Sequence, residues 1–553
     1  MSPSRHSVTP AVPGTLRGRG RARWTALGRA LLQRGLPGPG RHVILLIRPP
    51  AGSAAGPRGM STRRTVRLSS PSPDRAATWA PVIVGLIGLG IGLRGITRPS
   101  AWTDEIVTLD VARRSWPQLV ELLGRVDAVH GLHYVLMYLV GQVAGVSEFT
   151  MRLPSAVAVA VAAAGLGWLG RLLGGPRLGL YAGLLLAVLP TVSRYAQEAR
   201  SFAFVMAVAV LATGALVKAL AGRARWAAGY AVLIALLGWF NVMGLLLVAA
   251  HAVTIALRRP GRRVVMRLLP AQAAGITAVI PLLLLGFSQR SAVGEVPQVT
   301  AGTPYSYFTW LLTPGQDTLP AALKLLLTLT SLAAISLLVA RRHTAPPLVF
   351  AIGVPWLAVP PLLLLALSLG QPLFAYRYLL FCLPALALLL AAAAALLPPR
   401  RQLLLALLPA LPITMSHLAI RQQDSRPWDT STVITTLRSR AVPGDAILFS
   451  GARCDLIATT HPEIFARLPD LGTARTAAER GTLNNLPADS TLLNQRLARA
   501  PRVWHITCRH LSPGAYRTGD RTTVAQEYAL TRTGHTPAYH RSTRGLDITL
   551  YQR

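Results

Sequence analysis

Between Ser201 and Ala221 the chain reads SFAFVMAVAVLATGALVKALA, a run whose only charge is Lys218. As a helix such a run covers about 30 Å, the thickness of a bilayer's hydrocarbon core. Working outward, comparable apolar segments recur at 79–97, 153–173, 177–193, 226–239, 241–257, 268–287, 319–340, 346–367, 378–397 and 402–419. Segments 177–193 and 226–239 are short for a span. The pattern predicts an all-α polytopic membrane protein with about eleven transmembrane helices.

Composition agrees with this reading. Of 553 residues 52% are apolar and only 14% charged, yet the net charge is +36. Long uncharged segments joined by short arginine-rich loops give that combination, whereas a soluble chain of this length carries far more charge. Lys218 and Lys324 are the only lysines. The arginines gather at segment ends with no aromatic-lined basic platform beside them, so they read as topology determinants and not as a nucleic-acid surface.

Residues 1–75 are rich in Arg, Pro, Gly and Ser and hold no acid before Asp74. They are expected to form a disordered basic cytoplasmic tail, with Met60 a plausible second start. With that tail inside, Arg171/Arg177, Arg223/Arg225, Arg258/Arg259/Arg262/Arg263, Arg341/Arg342 and Arg400/Arg401 all fall in cytoplasmic loops. An odd number of spans then puts the C-terminus outside. His133–Val146 is too short for a span, and counting it as one would invert every later loop. Residues 98–152 are therefore expected to be one large external loop within a membrane module spanning 76–420. Short helices near Glu105–Arg114 and Pro117–Arg125 are expected on the membrane surface. A second external loop, 288–318, carries the aromatic cluster Tyr305, Tyr307, Phe308 and Trp310.

From 421 to 553 the chain is polar. Ala446–Ser450, Val503–Thr507 and Ile548–Tyr551 read as strands, and Thr430–Arg440 and Thr491–Ala500 as helices, which predicts a small extracytoplasmic α/β domain. Cys382 reads as a buried small residue. Cys454 and Cys508 lie in the polar region, and the sequence leaves their pairing open.

Four clusters at outer segment ends carry candidate chemistry. Asp104-Glu105 follows the first span; adjacent carboxylates suit proton abstraction or cation binding, and equally suit the start of a helix. Tyr195-Ala-Gln-Glu-Ala-Arg200 brings Gln197, Glu198 and Arg200 to the end of the third span, where charge is costly unless it faces a cavity or a partner. Tyr376-Arg377-Tyr378 places a guanidinium fork at the depth of a lipid phosphate. His130, ahead of Gly131 and His133, closes the loop that carries Asp104. Their collection on one side of the membrane points to an external active site.

Read in order, Trp102-Thr-Asp-Glu105, His130-Gly-Leu-His-Tyr134, Glu148-Phe-Thr-Met-Arg-Leu-Pro-Ser155, Gly170-Arg-Leu-Leu-Gly174 and Tyr195-Ala-Gln-Glu-Ala-Arg-Ser-Phe202 resemble the GT-C fold membrane glycosyltransferases. The branch is that of protein O-mannosyltransferases and the aminoarabinose transferase acting on lipid A. The similarity is greatest to its actinobacterial mannosyltransferase-like members, and it extends to Arg377-Tyr-Leu-Leu-Phe-Cys-Leu-Pro384 and to Pro443-Gly-Asp-Ala-Ile-Leu-Phe449.

The resemblance implies a bacterial plasma-membrane enzyme that moves mannose or a similar sugar from a polyprenyl-phosphate donor to a glycan, lipid or protein acceptor. The anomeric centre would be inverted. It implies Asp104 as catalytic base, with Glu105 and Glu198 beside it. Arg377 with Tyr378, and Arg200, would hold the donor phosphate, and His130 and Gln197 would meet the acceptor or a metal. Some members use a divalent cation and others none; Gly131 stands where relatives commonly carry Pro. The alternative function is a transporter or flippase of lipid-linked sugars, for which midplane charges and internal repeats would be expected.

Overall fold

The computed structural model describes residues 75–289, 296, 298–314, 319–451, 453–509 and 521–553. The expected tail over 1–75 lies, but for Arg75, outside them, as does Met60.

All eleven apolar segments are helical. Seven helices are long and apolar enough to cross a membrane: Glu148–Gly174, Phe202–Leu220, Arg262–Ser288, Ala321–Ala340, Pro347–Leu367, Tyr376–Ala395 and Pro399–Ala419. Pro176–Val188 and Pro190–Ala196 make an eighth, bent by 63°. The bend falls where Pro190 lacks the N–H that would continue the first helix. Trp79–Leu93, Arg225–Phe240 and Val242–Arg258 are shorter apolar helices. The chain is a multi-pass membrane protein.

The N-terminal elements set up the site. Helix α1 (Arg75–Leu93) leads into the loop, which holds α2 (Thr103–Arg113), α3 (Trp116–Arg125), a 3-10 turn over Ala128–His130 and α4 (Gly131–Ala144). Then comes α5 (Glu148–Gly174), opened by a capping box between Ser147 and Thr150. Helix α3 is amphipathic as expected, burying Leu119 and Leu122. Helix α2 is not a surface helix: every residue from Glu105 to Ala112 is buried. It is enclosed because a single apolar core joins Ile106, Leu109, Tyr134 and Met151 to Trp428, Ile447, Leu456 and Trp504 of the C-terminal domain.

Small residues let the inner spans approach closely. On Pro176–Val188, a Cβ at Gly183 would stand 2.7 Å from Val84 Cγ1 and 2.8 Å from the Ala163 carbonyl oxygen. Close backbone approach replaces the hydrophobic effect, which vanishes between helices in lipid. Gly183→Val should therefore separate these helices at a cost of about 1–3 kcal/mol. That would be read as a lower thermal midpoint in detergent; an unchanged midpoint would show that the contact is slack.

Helices α5, Phe202–Leu220 and Tyr376–Ala395 all begin at the end that holds Arg152, Arg200 and Arg377 and run to the arginine-bearing loops. Those loops meet at the far end, where Arg341 Nη1 donates to the Leu396 carbonyl at 3.4 Å.

The C-terminal domain is α/β as expected. Its strands are β1 (Ala446–Ser450), β2 (Thr473–Arg475), β3 (Leu486–Pro487), β4 (Arg502–Cys508), β5 (Thr536–Thr543) and β6 (Leu546–Gln552). A four-stranded sheet has the order β1-β4-β6-β5. Strands β1 and β4 are parallel, with Ala446 opposite Val503 through Ser450 opposite Thr507, and the other pairings are antiparallel. Cys454 and Cys508 form a disulfide, tying the turn after β1 to the end of β4. Cys382 is free and buried. The linker is bolted to the membrane module: Arg421 donates to the Arg94 and Ile91 carbonyls at 2.8 and 2.7 Å, and Thr430 Oγ1 to the Ala101 carbonyl at 3.1 Å.

Candidate active site

The first turn of α2 divides the work of its two carboxylates. Trp102, extended, occupies the cap position without a side-chain cap, so neither acid caps the helix; both sit within the first turn. Successive helical residues diverge by about 100°. Glu105 turns into the protein and Asp104 toward the junction of loop, spans and C-terminal domain.

Glu105 is fully engaged. Arg152 Nε and Nη2 donate to its two oxygens at 2.7 and 2.9 Å, and the Ala199 N–H donates to Oε1 at 3.1 Å. Arg152 Nη1 donates to the carbonyls of Ile96 and Pro99 at 2.8 and 2.9 Å. This buried fork ties α2, α5, the segment 96–99 that follows α1 and the 197–201 turn into one frame. Both oxygens of Glu105 are buried and hydrogen-bonded, so it stands beside Asp104 as the partner of Arg152 and not as a free carboxylate.

Asp104 is partly buried, and its Oδ2 is shielded from solvent without a hydrogen-bond partner. Burial alone would raise its pKa, but the charges of Arg200, Arg377, His130 and Arg453 outweigh that and hold it below the ordinary carboxylate value. It is a carboxylate at neutral pH. Glu198 is the opposite case. Neither of its buried oxygens has a partner. Burial pushes it above the usual range against the pull of Arg194 and Arg426, and Glu105 and Asp104 reinforce the rise. Two carboxyls with environments that push them apart suit two different roles.

Arg200 is buried and held in place: it donates to His130 Nε2 at 3.3 Å and to the Tyr134 hydroxyl at 3.5 Å, and Tyr134 donates to Asp127 at 2.8 Å. Its Nε has no partner. Accepting from Arg200 leaves His130 with its proton on Nδ1, which is also buried without a partner. Arg377 lies 5.6 Å over the Tyr378 ring. An aromatic wall flanks it, with Trp310 5.9 Å from both Tyr195 and Tyr376, and Tyr307 6.1 Å from Tyr376. Of the expected aromatic cluster, Tyr305 is exposed.

Gln197 stands apart from this group. Its Nε2 donates to the Gly92 and Arg94 carbonyls at 2.8 Å each, closing the end of α1, while its Oε1 is buried without a partner. Among the described residues no three His, Cys, Asp or Glu side chains gather as metal ligands.

The structure thus brings together Asp104, Arg200, His130, Arg377, Tyr378 and Glu198; it engages Glu105 in the Arg152 fork and ties the Gln197 Nε2 to the end of α1. Sequence reading missed Arg152, Arg426 and Arg453. Arg152 had a signal: a guanidinium within an apolar helix needs a buried partner. Arg426 is fully buried, with Nε and Nη1 unpartnered, and no periodicity in the polar region marked it.

A cavity of about 550 Å³ lies farther along α2, lined by Asp110, Asp455, Asp470, Arg475, Glu479 and Asn485. Burial, then the neighbouring Asp470, raises Asp455 to about 6. With its folded value above the unfolded one, Asp455 costs the folded state stability as pH rises from about 4 through 6, and fully above that. Asp455→Asn should raise the thermal midpoint at pH 7.5 and change little at pH 4; an equal rise at both would rule out ionisation as the cause.

The sequence matches no protein-family model and no curated protein. Among solved structures, ArnT from Cupriavidus metallidurans in the apo state aligns with a TM-score of 0.57 at 13% identity, over 86% of this chain and 98% of that one. The same protein bound to undecaprenyl phosphate aligns with a TM-score of 0.52 at 13% identity and the same coverage. At that identity the likeness is one of architecture: the chain has the GT-C fold.

Proposed function

We propose that this chain is a membrane glycosyltransferase that transfers a sugar, mannose or a similar hexose, from a polyprenyl-phosphate donor to an acceptor hydroxyl at the outer face of a bacterial plasma membrane. The observation that carries the reading is the Asp104 carboxylate, its buried Oδ2 without a partner, facing the cations Arg200 and Arg377, which hold its pKa below the ordinary carboxylate value. That is an arrangement with a base for a hydroxyl and a cradle for a phosphate. The structure of ArnT with undecaprenyl phosphate is consistent with a lipid-phosphate ligand on this fold.

Asp104 Oδ2 accepts the acceptor's hydroxyl proton as its oxygen bonds to the anomeric carbon. The bond from that carbon to the phosphate oxygen breaks on the opposite face, its electron pair staying with the phosphate, and the configuration inverts. Arg377 and Arg200 stabilise the charge growing on that phosphate. Glu198, more readily protonated, orients the acceptor. Glu105 positions Asp104 through the Arg152 fork. The outer-face assignment draws on the arginine loops at the opposite end of the spans and on the Cys454–Cys508 bridge, which persists in an oxidising compartment.

The test is purified protein in lipid nanodiscs with radiolabelled polyprenyl-phosphate mannose, followed by release of the sugar. Release supports the lipid donor. No release calls for a panel of other polyprenyl-phosphate sugars, and failure of the whole panel puts the transporter reading ahead.

A further inference from the structure

The turn after β1 is built in an unusual way. Gly451 has φ +100° and Arg453 φ +63°, ψ 13°, one of three non-glycine residues with positive φ among those described. At Gly451 a Cβ would collide with the Cys508 carbonyl. An arginine in the left-handed region is strained, and such strain persists only where the surroundings impose it. Here they do. Cys454, the next residue, is bridged to Cys508, and the Cys454 N–H donates to the Gly451 carbonyl at 3.2 Å. The 3-10 turn that follows, Cys454–Thr459, packs Leu456 and Ile457 into one core with Ile106 and Leu109 of α2, the helix that carries Asp104.

Of the other arginines around α2, Arg152 is paired with Glu105 and Arg114 with Asp110, while Arg200 is held by His130 and Tyr134 with its Nε left without a partner. Arg453 is partly exposed and makes no ion pair or side-chain hydrogen bond among the described residues. Its charge acts on the same Asp104 carboxylate as those of Arg200 and Arg377.

We propose that Arg453 is a donor-phosphate ligand lent to the site by the C-terminal domain, completing a three-cation cradle with Arg200 and Arg377 and held there by the Cys454–Cys508 bridge. The proposal rests on the reading of the site as a polyprenyl-phosphate sugar transferase. Charge counting supports it. A sugar phosphodiester carries one negative charge and the phosphate monoester left behind carries nearly two. Three guanidinium groups less the Asp104 carboxylate leave a net of two positive charges before transfer; once Asp104 has taken the acceptor's proton all three face the nearly doubly negative phosphate, so the cradle favours charge developing as the bond breaks.

The test uses the full chain in nanodiscs of phosphatidylcholine, titrated with undecaprenyl phosphate and compared with Arg453→Asn, Arg453→Lys and Arg377→Ala. Asparagine suits the left-handed region better than arginine, so Arg453→Asn removes the charge without adding backbone strain. It should weaken binding about ten- to a hundredfold, the usual weight of charge-assisted hydrogen bonds, with partial rescue by Arg453→Lys. Reducing the disulfide should weaken the wild type to a similar extent and leave Arg453→Asn unchanged.

If Arg453→Asn binds like the wild type while Arg377→Ala does not, Arg453 is no ligand and the transferase reading stands. Should the wild type itself fail to bind undecaprenyl phosphate, both fall. Equal further weakening of wild type and Arg453→Asn by reductant would overturn the role given to the bridge.

Discussion

Replacing Asp104 with Asn is expected to lower sugar transfer by about a hundred- to ten-thousandfold, the usual contribution of a positioned general base, while undecaprenyl phosphate binds at least as tightly as before. The two halves of this expectation share one cause. Asn keeps the shape of the side chain and cannot take the acceptor's proton, so kcat falls. It also removes the anion that now faces Arg200, Arg377 and Arg453, leaving those cations freer for a phosphate. Single-turnover transfer and lipid-phosphate titration on the same preparation separate the effects. Transfer that survives would move the base elsewhere, with Glu198 next in line. A loss of binding in step with transfer would make Asp104 a ligand holder instead.

The pH profile provides an independent check. Because the cations hold Asp104 below its ordinary value, its basic form persists as pH falls through the ordinary carboxylate range near 4. The acid limb of kcat/KM should therefore lie at or below that range. A limb well above it would implicate Glu198, which burial pushes the other way.

What the sequence revealed follows from the kind of signal each feature leaves. Spans are legible because lipid demands about 20 apolar residues in a row, and all eleven segments are helices. Strands β1, β4 and β6 and the helix Thr430–Arg440 were legible from local alternation and turn residues. The gathering of Asp104, His130, Glu198 and Arg377 followed from topology alone, since one side of a membrane is a small place. The enclosure of α2 was not legible, because it depends on a domain more than 300 residues later in the chain. For the same reason sequence could not separate Asp104 from Glu105: Arg152 and Ala199 engage Glu105 while Arg200, Arg377, His130 and Arg453 face Asp104, and local pattern does not connect either set to its acid. Nor does local pattern show that the Gln197 Nε2 turns back to the carbonyls at the end of α1.

Arg152→Ala should have the largest effect on stability, about 3–5 kcal/mol, because it strands Glu105 as a buried, uncompensated carboxylate. The carbonyls of Ile96 and Pro99 lose their donor in the same step, and Glu148 loses a contact at 3.4 Å. The expected result is poor recovery of folded protein from membranes, which by itself would say nothing about catalysis. The informative variant is the pair Glu105→Leu with Arg152→Met. Removing both charges eliminates the desolvation cost of each, and replacing buried pairs with apolar residues is often neutral or better. The double variant should therefore recover much of the thermal stability that Arg152→Ala loses. If Glu105 only positions Asp104, the refolded double variant transfers sugar at a reduced rate, with an acid limb still set by Asp104. If it folds and binds undecaprenyl phosphate yet transfers nothing, Glu105 takes part in the chemistry, and the division of labour between the two neighbouring acids must be redrawn. The contrast works because the double variant removes both charges of the fork together, leaving the Ala199 N–H as the one frame contact of Glu105 described above that loses its acceptor; a complete loss of transfer in a folded, lipid-binding variant then points to a need of the reaction and not of the frame.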